Sequence, residues 1–103
     1  MKSFKDIIRE IRLQHGKVLR EVAFGTGIDQ TIINKFELGE RKPSREQVEK
    51  LANFYGLDND ELIIAWKSDL LYNDLKDERL SNQILEVAEQ KIKYAKTKIS
   101  QKV

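Results

Sequence analysis

From Phe4 onward the apolar residues of this chain recur at intervals of three and four, and nowhere do they alternate over the length of a strand. That is the helical period, so the chain is expected to be all-α. The punctuation agrees. Ser3, with Asp6 three residues on, opens a first helix over about Phe4 to Gln14; Phe4, Ile7, Ile8 and Ile11 share one of its faces, and Gly16 lies just past its end. A second, short helix covers about Val18 to Thr26 and carries Val22 and Ala23. Gly27 permits the positive φ of a tight turn, Asp29 is placed to cap a third helix running to about Leu38, and Gly39 stops it. Ser44 and Gln47 form the capping box of a fourth helix, which presents Val48, Leu51, Ala52 and Tyr55 ahead of Gly56. A fifth begins at Asp58, with Leu62, Ile63, Trp66 and Leu70 in one stripe that Ile64 and Leu71 extend round the helix. A long terminal helix follows from about Asp77 toward Ile99.

Composition narrows the chemistry. Hydrophobic residues make up 40% of the chain and charged ones 35%, enough for a thin core in a helix-rich protein and too apolar for a disordered one. No apolar run approaches the ~18 residues of a membrane span, and the start lacks the basic-then-apolar layout of a leader, so a cytoplasmic protein with no membrane partner is expected. Cysteine is absent, which excludes disulfides, thiolate metal sites and cysteine nucleophiles. His15 stands alone where the first helix ends and reads as a capping group at the negative end of its dipole. There is no paired-acid cleft, glycine-rich phosphate loop or nucleophile beside a histidine. Neither an enzyme nor a bound metal or cofactor is expected.

The net charge of +2 conceals an uneven distribution. Residues 1–44 hold nine basic against six acidic side chains, residues 45–75 three against seven, and residues 76–103 seven against four, with Lys91, Lys93, Lys96, Lys98 and Lys102 gathered at the end. The middle segment does not suit a polyanion.

Wrapping the third helix separates two adjacent isoleucines by about 100°. Ile33 and Phe36 share a side with Ile28 and should point into the core, whereas Gln30, Thr31, Asn34 and Lys35 fall outside that stripe and leave Ile32 among them. Such a face suits the major groove of DNA: amides can read adenine, a lysine guanine, and a methyl-bearing side chain thymine. From the pattern alone, an ordinary solvated helix face fits equally well.

The short helix, turn and following helix, with Ala23 and Gly27 at the spacing that lets two helices cross closely, resemble the helix-turn-helix of the XRE (Cro and phage-repressor-like) family. The resemblance continues through Glu37, Gly39 and the Arg41-Lys42-Pro43-Ser44 run, and covers roughly Phe4 to Ile64. It implies a five-helix repressor-like DNA-binding domain whose second helix lies across the phosphate backbone while the third enters the major groove of double-stranded DNA. Carried over by position, the base-reading residues are Gln30, Thr31, Ile32, Asn34 and Lys35. Lys17, Arg41 and Lys42 flank them as phosphate contacts. Arg12 and Glu37 occupy the positions of an ion pair that, in related repressors, orients the recognition helix; here it is expected to be partly buried.

Two departures from the family pattern stand out. Val18 and Leu19 replace the Ser or Thr and the Gln that normally hold a phosphate at the start of the second helix, which also deprives that helix of a side-chain cap. Gly25 falls inside the second helix, Thr26 replaces a leucine, and Phe24 is expected to compensate by packing elsewhere.

The chain is therefore divided into a DNA-binding domain over residues 1–75 and a C-terminal helix over residues 76–103 for dimerisation or docking. In that helix Leu85, Ala88, Ile92, Ala95 and Ile99 repeat like a coiled-coil seam, and Leu80, Ile84 and Val87 broaden its first half. About two heptads are too few for an isolated coil, so the helix is expected to dock on its own domain or to complete a homodimer interface with the fifth helix. The competing class is a protein-interaction module, an antitoxin or scaffold, with a protein partner on the C-terminal helix. Within the DNA-binding class, a controller of restriction-modification genes is the alternative to a repressor or autoregulator.

Overall fold

The computed structural model describes residues 1–101, with side chains through Ile99; Lys102, the last lysine of the basic tail, lies outside them. Among the described residues there are six helices and no strand: α1 Phe4–Gln14, α2 Leu19–Thr26, α3 Gln30–Leu38, α4 Arg45–Tyr55, α5 Asn59–Leu75 and α6 Ser81–Gln101. Two compact units divide between Leu71 and Tyr72, within α5.

The core of the first unit is drawn from the apolar stripes of α1 to α5. Ile8, Val22, Ile33, Phe36, Val48, Leu51 and Leu62 are fully buried, with Tyr55 and Trp66 nearly so. Ile7, Ile11, Ile63 and Leu70 pack against this cluster from its margin. Ile64 and Leu71 are exposed, because α5 is apolar round much of its circumference and turns one face to the core.

Helix starts are held in four different ways. Ser3 makes no capping bond to the backbone; its hydroxyl donates to Asp6 at 2.8 Å, and the Phe4 N–H donates instead to the Asp69 carboxylate of α5 at 2.7 Å. The start of α1 is thus capped from a helix 65 residues away. Val18, with no side-chain acceptor, precedes α2, but Glu21 Oε1 accepts the Val18 N–H at 3.0 Å and supplies the return half of a capping box. Asp29 accepts from the Thr31 and Ile32 N–H groups of α3 at 2.8 and 3.3 Å. Ser44 and Gln47 cap α4 reciprocally at 3.2 and 2.9 Å.

In the second unit, α6 begins at Ser81 rather than near Asp77. Residues 76–80 lie outside any helix, and there the Glu78 carboxylate accepts the Leu80 N–H at 2.8 Å.

At four positions of α2 and the turn after it the structure changes or explains what the sequence suggests. Phe24 does not pack elsewhere: it is 92% exposed, lying two residues and therefore about 200° round the helix from the buried Val22. Gly25 leaves space for Phe54, since a Cβ there would stand 2.2 Å from Phe54 Cε1. Gly27 is not a close-crossing point: a Cβ there would meet nothing within 4 Å, and its role is the φ of +72° that ends α2. Thr26 is buried, and its hydroxyl donates to the Val22 carbonyl at 2.7 Å and accepts the Ile28 N–H at 3.2 Å, bracing the turn in a way leucine could not.

Candidate nucleic-acid interface

The turn from Thr26 to Asp29 sets the start of α3, and the nine residues of that helix then fall on two sides. Ile33 and Phe36 enter the core. Gln30, Thr31, Asn34 and Lys35 are exposed and form a continuous polar face. Ile32 differs from its expected outward position: it is half-buried and packs against the core, because it precedes Phe36 by four residues and lies only about 40° from it round the helix. The exposed face is therefore centred on Thr31, Asn34 and Lys35, with Ile32 at one border and Gln30 toward the other.

Behind this face α3 is clamped. Arg12 donates from Nε to Glu37 Oε2 at 2.8 Å and from Nη2 to Glu37 Oε1 at 2.9 Å, a bidentate pair whose side chains are 14% and 3% exposed. The remaining Arg12 nitrogen, Nη1, donates to the Lys17 carbonyl at 3.0 Å. One guanidinium thus joins α1, the approach to α2 and the last turn of α3. The hydrogen bond to Glu37 raises the Arg12 pKa above its ordinary value against the opposing effect of burial. Nearby, burial pushes the Tyr55 phenol up to about 12, with the Glu37 charge adding to the rise. His15, the C-cap residue of α1, meets the Tyr55 ring edge-on at 6.1 Å between centroids.

Of the expected phosphate-binding residues, Lys17 is half-buried, its ammonium 3.9 Å from Glu21, and Arg41 and Lys42 are exposed in the loop between α3 and α4. A shallow hollow brings Gln30 together with Arg12, Val18, Leu19 and Arg20 at the start of α2. Arg20 lines this hollow although sequence reasoning does not single it out. Its only signal there is its place one residue after Leu19, and only the fold brings it beside Gln30. Among the described residues, no group of His, Asp and Glu side chains is placed to hold a metal ion, and no helix is long and apolar enough to cross a membrane.

Comparison with known proteins identifies the family. A helix-turn-helix family model matches residues 8–62, the span from α1 into α5. The chain is 33% identical over 81 residues to the cryptic phage CTXphi transcriptional repressor RstR of Vibrio cholerae, an alignment covering 79% of this chain and 68% of that protein. No solved structure matches significantly.

Proposed function

The chain belongs to the XRE-type helix-turn-helix family and is a DNA-binding transcriptional regulator; on that premise we propose that it is a sequence-specific, homodimeric cytoplasmic repressor or autoregulator that reads the major groove with α3. The observation that carries the reading is the exposed face of Gln30, Thr31, Asn34 and Lys35 on a helix that Asp29 caps and the Arg12–Glu37 pair clamps. Rigid support matters because base-edge hydrogen bonds discriminate only when their donors and acceptors are held in place. Ile32, at the border of the face, retains enough exposure for methyl contact.

Lys17, Arg41 and Lys42 serve as phosphate contacts that fix register without reading sequence. Arg20 joins them at the start of α2, where Leu19 cannot hold a phosphate through its side chain. Because one short helix reads only a few base pairs, a two-fold pair of domains would read two half-sites about one helical turn apart. Occupying such an operator represses by blocking promoter access, and repression is also what the name of the RstR relative describes for that protein. The test is binding-site selection from random duplexes, repeated with Gln30→Ala and Lys35→Ala. The variants should enrich a relaxed or altered motif, and an unchanged motif at unchanged strength would overturn the assignment.

A second reading, a protein-interaction module, draws on the exposed Val18 just before α2 and the exposed Phe24 within it. Salt separates the two. Binding to random duplex should weaken steeply as salt rises for a DNA reader and be absent even at low salt for a protein module.

A further inference from the structure

One stripe of α6 carries its side chains in a particular order of sizes, while the exposed Ile84 and Val87 lie beside its first half. Ser81, Leu85, Ala88, Ile92, Ala95 and Ile99 form one stripe at intervals of four and three, and along it small and large side chains alternate. The large members are open to solvent, Leu85 at 43%, Ile92 at 55% and Ile99 at 67%.

This alternation favours one orientation for self-pairing. In a parallel, in-register pair Leu85 would face Leu85 and Ala88 would face Ala88, giving wide and narrow layers in turn and voids at the alanines. Run antiparallel about a two-fold axis near Gln90, every large residue meets a small one: Leu85 the partner's Ala95, Ile92 the partner's Ala88, Ile99 the partner's Ser81. We propose that two copies of this chain pair through α6 in this antiparallel register. The proposal rests on the dimeric part of the functional reading and adds how the copies meet.

Sliding by one heptad would bring Glu89 opposite the partner's Lys96, but it would take each Leu85 off the partner's Ala95. Burial of two leucines outweighs two solvent-screened pairs on the rim, and Glu89 already pairs with Lys93 of its own helix at 2.8 Å. In the chosen register Glu89 and Lys91 each approach their own counterparts, a repulsion that exposure and salt keep small.

The absence of cysteine makes the test clean. Leu85→Cys and Ala95→Cys chains are oxidised mildly, each alone and then mixed. Only the mixture should form a covalent dimer, because positions 85 of the two copies would lie about 15 Å apart along the helices, too far for a disulfide. Self-linking of Leu85→Cys alone would overturn the antiparallel arrangement while leaving the dimer intact. A second variant avoids oxidation. Ala88→Leu should raise the dimer dissociation constant about 10-fold in sedimentation equilibrium with helical dichroism retained, because it overfills a layer that already holds Ile92. Unchanged or tighter association would overturn the proposal. A monomeric unmodified protein, with α6 covered by its own domain or by another protein, would overturn this inference and the dimeric reading together. DNA binding by the same samples reports separately on the regulator reading.

Discussion

Arg12 grips Glu37 through two parallel N–H···O bonds of 2.8 and 2.9 Å, and Glu37 is the most deeply buried charged side chain of α3. Removing one partner strands the other. Arg12→Met should destabilise the fold by about 3 kcal/mol, the low end for a broken buried pair because the guanidinium is partly wet. Arg12→Met with Glu37→Leu should recover more than half of that loss in urea unfolding. Additive losses would mean that the pair does not act as a unit.

Gly25 is expected to resist the substitution that usually strengthens a helix. Alanine would gain up to ~1 kcal/mol in helix propensity. Its Cβ, however, would collide with the Phe54 ring, which also meets Tyr55 edge-on at 5.1 Å. Gly25→Ala should therefore cost about 1–2 kcal/mol net. In a Phe54→Ala background the same change should become neutral or stabilising, and a double-mutant cycle by thermal unfolding checks the reversal.

Tyr55 gives the fold an alkaline limit. Burial raises its phenol to about 12, against about 10 in an unfolded chain, so the neutral phenol is the form the fold favours. That contribution is complete below pH 10 and is lost as pH rises from 10 through 12. The hydroxyl has no hydrogen-bond partner among the described residues, so Tyr55→Phe should cost nothing at pH 7 and should flatten the fall in stability between pH 10 and 12. Melting temperatures of both proteins at pH 7 and 11 decide the matter.

Residues that bind phosphate are recognised by what they do to salt dependence. Arg41→Ala and Lys42→Ala should each weaken binding to specific and random duplex alike. Each should make the slope of log affinity against log salt shallower by about 0.9, the share of one neutralised phosphate. Arg20→Ala should behave in the same way. Weakening confined to the specific duplex would instead assign the residue to base reading.

Much of this was legible in the sequence because local chemistry determines it. Helix period, the capping box of Ser44 and Gln47, the Asp29 cap and the positive-φ turn at Gly27 depend on residues within four positions of one another. The exposure of Gln30, Thr31, Asn34 and Lys35 follows from the same periodicity once Ile33 and Phe36 are assigned to the core.

Tertiary structure decided what depends on residues far apart in the chain. Asp69 of α5 caps α1, Phe54 of α4 requires the glycine at position 25, and Arg20 stands beside Gln30 across a turn. No local pattern encodes these contacts. Ile32 shows the boundary between the two. Its polar neighbours in sequence point it outward and its four-residue spacing from Phe36 points it inward, and packing decides between them, because a short helix resting on a core buries the border of its apolar stripe as well as the centre.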